Sequence, residues 1–96
     1  MPESTAPPVA LLARITGRVQ GVFFRAWTKE EAEARDLSGW VRNEPDGSVS
    51  ALISGPGEAV REMVAALHEG SPPSRVDHVD TAPADPPDRP GFHVLK

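Results

Sequence analysis

The chain has 96 residues, with 14 acidic and 10 basic side chains, no cysteine and a formal net charge of −4. That length holds one domain with a small core, for which two packed layers are the natural arrangement. The charge balance leaves no broad basic face for a nucleic-acid backbone, and the lack of cysteine excludes a disulfide framework and a thiolate nucleophile.

Residues 1–8 are polar and proline-bearing, without the basic stretch and apolar centre of a secretory signal. They are expected to be a loose tail ahead of a domain over residues 9–96. No apolar run approaches the ~20 residues of a membrane helix, so no membrane partner is expected and a cytoplasmic location is the default.

In residues 9–16, Val9, Leu11, Ala13 and Ile15 share one face, which predicts a half-buried strand. Gly17-Arg18-Val19-Gln20-Gly21 reads as a loop. Good helix formers then run over residues 22–36, with Phe24, Thr28 and Ala32 on the inner face, flanked by Trp27 and Leu37. Ser38-Gly39 breaks that helix, and residues 40–43 read as a short strand. Pro45-Asp46-Gly47 has turn chemistry, and residues 48–53 return with Val49, Ala51 and Ile53 inward, which makes a β-hairpin with Asn43 at the end of its first strand.

Gly55-Pro56 opens a second helix, with proline expected at its first position. Val60, Met63, Val64 and Leu67 form its apolar stripe. Gly70 and Pro72-Pro73 end it. Residues 75–81 read as a strand of poor alternation, residues 82–90 as a proline-rich loop, and Phe92 with Val94 as a short final strand. The order βαββαβ predicts an α+β, ferredoxin-like two-layer sandwich, an antiparallel sheet with two helices on one face plus a short C-terminal strand. Such a fold says nothing of activity by itself.

The chemistry concentrates at two places. Residues 17–25 lie between a strand and a helix start, where glycines let backbone N–H groups converge and the helix dipole adds positive potential. Arg25, about one turn in, can present its guanidinium fork to the same anion. An ordinary turn with a solvated arginine is the alternative. A nucleotide P-loop is excluded, because Val22 and Phe23 follow Gly21 where Lys and Ser or Thr are required, and the dinucleotide glycine fingerprint is absent. Asn43 is the second place. Its amide can hold a water and donate to a phosphoryl oxygen, or it can be no more than a residue beside a turn.

Gln20 and Asn43 are the chain's only Gln and Asn, and each falls inside one of these segments. Arg14, Arg18, Arg25 and Arg42 make the first half locally basic, while acidic residues gather at Glu30, Glu31, Glu33 and across residues 77–88. That asymmetry suits a small anionic ligand. His68, His78 and His93 have no metal-triad spacing, so no metal is expected, and Trp27 and Trp40 read as packing residues.

Gly17-Arg18-Val19-Gln20-Gly21-Val22-Phe23-Phe24-Arg25 resembles the first signature of the acylphosphatase family, Gly-x-Val-Gln-Gly-Val-x-Phe-Arg. The segment from Gly39 through Trp40, Val41, Arg42, Asn43, Glu44, Pro45, Asp46, Gly47 and Ser48 to Val49 is similar to its second, Gly-x-Val-x-Asn-x-x-Asp-Gly-x-Val. The likeness extends over residues 11–94. It implies a metal-free and cofactor-free hydrolase that splits acyl phosphates into a carboxylate and inorganic phosphate, with a monomer expected. It also implies Arg25 as the substrate-binding arginine, Asn43 as the water-orienting residue, and the backbone of Gln20, Gly21, Val22, Phe23 and Phe24 as the phosphate cradle. Glu44, where some members carry a small hydroxyl residue, and the Leu95-Lys96 ending, where others often have an arginine, are the departures. Two other readings stand beside it: a non-catalytic anion- or metabolite-binding domain of the same fold, and an interaction module using the proline-rich segment 83–90.

Overall fold

Strand β1 (Val9–Arg18) leads through a loop to helix α1 (Phe24–Ala34), followed by β2 (Ser38–Asn43), β3 (Val49–Gly55), helix α2 (Gly57–Glu69), β4 (Arg75–Pro83) and β5 (Phe92–Val94). The computed structural model describes residues 8–96, so the expected tail, Pro8 apart, lies outside the described residues. The strands form one sheet in the order β4-β1-β3-β2-β5. The first four pair antiparallel, as expected; β5 instead runs parallel to β2, so the sheet is mixed. This is the ferredoxin-like α+β sandwich with one added strand.

Register sets the core. Ile15 faces Val49, Ala13 faces Ala51 and Leu11 faces Ile53 between β1 and β3. Val41 faces Ala51 and Asn43 faces Val49 between β2 and β3. Because side chains alternate across a sheet, these residues share the face that packs on the helices. Ala13, Ile15, Val41, Val49, Ala51 and Ile53 are fully buried, whereas Val9, expected on the same face, is exposed where the strand leaves the core. Phe24, Thr28 and Ala32 turn inward from α1, and Val60, Met63 and Leu67 from α2. The buried Thr28 hydroxyl donates to the Phe24 carbonyl at 2.9 Å, so it sits in the core without an unpaired polar group.

Several boundaries differ from expectation for identifiable reasons. Helix α1 starts at Phe24 rather than residue 22, because Gly21 (φ 73°) and Phe23 (φ 59°) are left-handed and cannot continue a right-handed helix. Asp36, at φ 58°, ends it, with the Leu37 N–H donating back to Ala32. Pro56 is the residue before α2 rather than its first, and its carbonyl accepts the Val60 N–H. Strand β4 runs on to Pro83, which an edge strand tolerates because no neighbour needs the missing N–H.

Candidate active site

The loop leaving β1 is pinned at both ends by apolar anchors. Val19 and Val22 are buried in the core, while Gly21 and Phe23, between and after them, are turned toward the surface and Gln20 is half-buried. Gly21 and Phe23 take left-handed backbone angles in alternation. For Gly21 this is free, but for a bulky residue like Phe23 it costs about 1–2 kcal/mol. Phe23 also precedes α1 without any side-chain cap, and the first turn of the helix carries no acidic residue. The helical ladder begins with the Trp27 N–H on the Phe23 carbonyl at 3.1 Å. The N–H groups of Phe24, Arg25 and Ala26 therefore have no acceptor within the helix, and they add to the positive dipole end.

Arg25 stands in this turn, half-buried. Its Nη1 donates to the main-chain carbonyl of Leu95 at 2.9 Å. Among the described residues it has no carboxylate partner, in contrast with Arg14, which pairs with Asp46, and Arg42, which meets Glu44 at 2.8 Å. The local basicity read from the sequence is thus partly neutralised, and the uncompensated charge in the site belongs to Arg25.

Asn43 closes β2 opposite Val49. Its Oδ1 is buried and has no hydrogen-bond partner among the described residues. Thr16 Oγ1, Arg35 Nε and Ser71 Oγ are likewise buried without a hydrogen-bond partner, so what distinguishes Asn43 is its place at the end of β2, beside the loop before α1. The turn after it is closely tied. Glu44 N–H donates to Ser48 O at 2.9 Å and Gly47 N–H to Glu44 O at 3.1 Å. Asp46 Oδ1 accepts from the Ser48 hydroxyl at 2.6 Å and from the Ser48 N–H at 2.9 Å. These bonds, with the Arg14 guanidinium, hold the Asp46 carboxyl well below the usual carboxylate range. Glu44 is also lowered, chiefly by its bond from Arg42 and then by Ser50.

The Gln20 side chain joins the two segments. Its Nε2 donates to Glu44 O at 2.9 Å and to Ser48 O at 2.8 Å, across the base of the turn. The loop before α1 is therefore fastened to the turn that carries Asn43.

One cavity of about 390 Å³ lies between them. Gly21, Phe23, Phe24 and Arg25 line one side and Asn43 the other, with Val19, Ala26 and Val94 completing the wall. Of the residues singled out in the sequence, Gln20 and Val22 do not line it: one is the fastener and the other a core anchor. Nothing local to Ala26, Val94 or Leu95 in the sequence marks their part in the site. His68, His78 and His93 stay apart, and among the described residues no three His, Cys, Asp or Glu side chains gather as a metal-ligand set. Trp27 packs on Phe24, with ring centroids 5.2 Å apart, and Trp40 lies 4.7 Å beneath the Arg42 guanidinium, as packing residues.

Fold and site together define a ferredoxin-like sandwich with a cationic cavity at the start of its first helix. The family model for acylphosphatases matches residues 11–94. An acylphosphatase of Rhodospirillum rubrum is 51% identical over 82 residues, covering 85% of this chain and 90% of its own length. One from Rhizobium meliloti is 52% identical over 88 residues, covering 91% and 93%. The crystal structure of an acylphosphatase from Bacillus subtilis superimposes with a TM-score of 0.86 at 35% identity, over 92% of this chain and 99% of that one. The chain belongs to the acylphosphatase family, and it is an acyl-phosphate hydrolase.

Proposed function

We propose that the chain hydrolyses acyl phosphates by in-line attack of a water held by Asn43, on a phosphoryl group bound by Arg25 and the main-chain amides of residues 20–24. The observation that carries this reading is that one cavity is lined both by an arginine with no carboxylate partner among the described residues and by the Asn43 side chain. A phosphoryl group would answer the first and a water the second. The Asn43 amide would hydrogen-bond that water and so aim its lone pair at phosphorus.

In the reaction the water oxygen bonds to phosphorus and the bridging P–O bond breaks. The bond's electron pair leaves on the carboxylate, and both protons of the water end on the phosphate product, which then exchanges one with solvent. The leaving group is the conjugate base of an acid of pKa near ~4, so it departs without a general acid. Charge builds on the phosphoryl oxygens in a loose transition state. Arg25 and the free N–H groups at the start of α1 stabilise that charge, so a metal is not required. The same reading keeps the chain monomeric and cytoplasmic, without a nucleic-acid partner. The net charge of −4 supports the last point, and light scattering on a gel-filtration peak checks the first.

The test is phosphate release from benzoyl phosphate in the presence of a chelator, comparing wild type with Asn43→Ala and using a phosphate monoester as control. Turnover of the acyl phosphate alone, unaffected by chelator and lost in the variant, is the expected result. Full activity of Asn43→Ala would sink the water-holding role, a large loss on chelation would sink the metal-free mechanism, and no turnover by a folded wild type would leave an anion-binding domain.

A further inference from the structure

Phe23 is 86% exposed although it lines the cavity, and its backbone is left-handed. A single exposed apolar residue is ordinary, but a bulky aromatic at positive φ is an outlier that local propensity does not favour. The core does not use its ring, and it supplies no cap bond to α1. On the same wall, Val94 is 41% exposed and Ala26 is exposed one residue beyond Arg25. Val94 is there because β5 runs parallel to β2, placing it opposite Val41 on the helix side of the sheet.

Apart from Arg25 and Asn43, the side chains that border the cavity are apolar: Val19, Phe23, Phe24, Ala26 and Val94.

We propose that Phe23, Ala26 and Val94 form an acyl-group subsite that selects acyl phosphates with an aromatic or branched apolar body over short or anionic ones. The subsite rests on the hydrolase mechanism proposed above. Phe23 would lay its ring along the acyl group while its main chain serves the phosphoryl oxygens, which explains why a phenylalanine occupies a backbone position better suited to glycine or asparagine.

The test is the ratio of kcat/KM for benzoyl phosphate to that for acetyl phosphate. In Phe23→Asn, which keeps a residue tolerant of the left-handed angle, the ratio should fall about tenfold, the low end for an apolar group in a hydrophobic pocket. Phe23→Trp should keep the wild-type ratio, and Val94→Ser should lower it about threefold by removing a smaller apolar contact. An unchanged ratio in both Phe23→Asn and Val94→Ser overturns the subsite while leaving the hydrolase intact. So does an equal loss on both substrates, since that would place Phe23 in phosphoryl binding alone. Failure of the folded wild type to turn over either substrate overturns the mechanism and the subsite together.

Discussion

The Arg25 guanidinium donates to the main-chain carbonyl of Leu95, 70 residues further along the chain and at 2.9 Å. Leu95 is itself held, its N–H donating to Val41 O at 2.8 Å on the strand that ends in Asn43. The C-terminal segment thus sets one end of the Arg25 fork, leaving its other donors to face the cavity. Deleting Leu95 and Lys96 removes this acceptor. We expect KM and the inhibition constant of inorganic phosphate to rise together, by up to about tenfold, with kcat less affected. Steady-state kinetics with phosphate as inhibitor would check it.

Arg25→Ala should lower kcat/KM about 10²–10³-fold and weaken phosphate inhibition, because it removes the one uncompensated charge in the cavity. Arg25→Lys keeps the charge but loses the planar fork, so it should recover only part of the loss. Equal activity in the lysine variant and wild type would show that point charge, rather than the fork, is what matters.

Asn43→Ala should leave the fold intact and reduce kcat about 10²-fold or more, with KM little changed. Its stability should not fall as it would for a buried amide with satisfied bonds, because Oδ1 has no partner to lose. Urea unfolding beside the kinetics would separate the two effects.

Gln20→Ala removes both donors that fasten the loop to the Asn43 turn. Glu44 O and Ser48 O each keep one backbone donor, so the expected loss is moderate, about 1–3 kcal/mol. Activity should also fall, through kcat, because the loop and Asn43 would no longer be held in fixed relation. A variant that lost stability but kept kcat would limit Gln20 to a structural part.

Asp46 supplies a pH dependence. Its folded pKa lies well below the unfolded value of about 3.8, lowered first by the Ser48 hydroxyl, then by the Ser48 N–H and Arg14. A depressed carboxyl contributes stability that is fully present above the unfolded pKa and is lost as pH falls through the folded one. Asp46→Asn keeps an acceptor for Ser48 but removes the charge. Wild type should therefore be more stable than this variant at pH 7, with the gap steady down to about pH 5 and closing below about pH 4. Added salt should narrow the gap, since the Arg14 pair is exposed. Thermal melts across pH would check both.

Much of this molecule was legible in its residues. The apolar stripe of α2, the inward set Phe24, Thr28 and Ala32, and the hairpin after Asn43 follow from periodicity and turn chemistry, which act over a few residues. The signatures around Arg25 and Asn43 were legible for the same reason, being contiguous runs. Periodicity starts helix α1 two residues early because Val22 and Phe23 are ordinary helix-compatible residues, and only the loop's left-handed angles exclude them.

Local pattern and turn chemistry specify the elements, their order and the two segments that carry the chemistry. It takes the assembled sheet to lay β5 parallel to β2, to bring Gln20 to the turn 28 residues away, and to complete the wall around Arg25 with Val94 and the Leu95 carbonyl. Those relationships depend on strand order and register. A short run such as residues 92–96 has too few side chains to specify a neighbour, so its place is chosen by the edge that β2 leaves open and by the burial of Phe92 over Gly39.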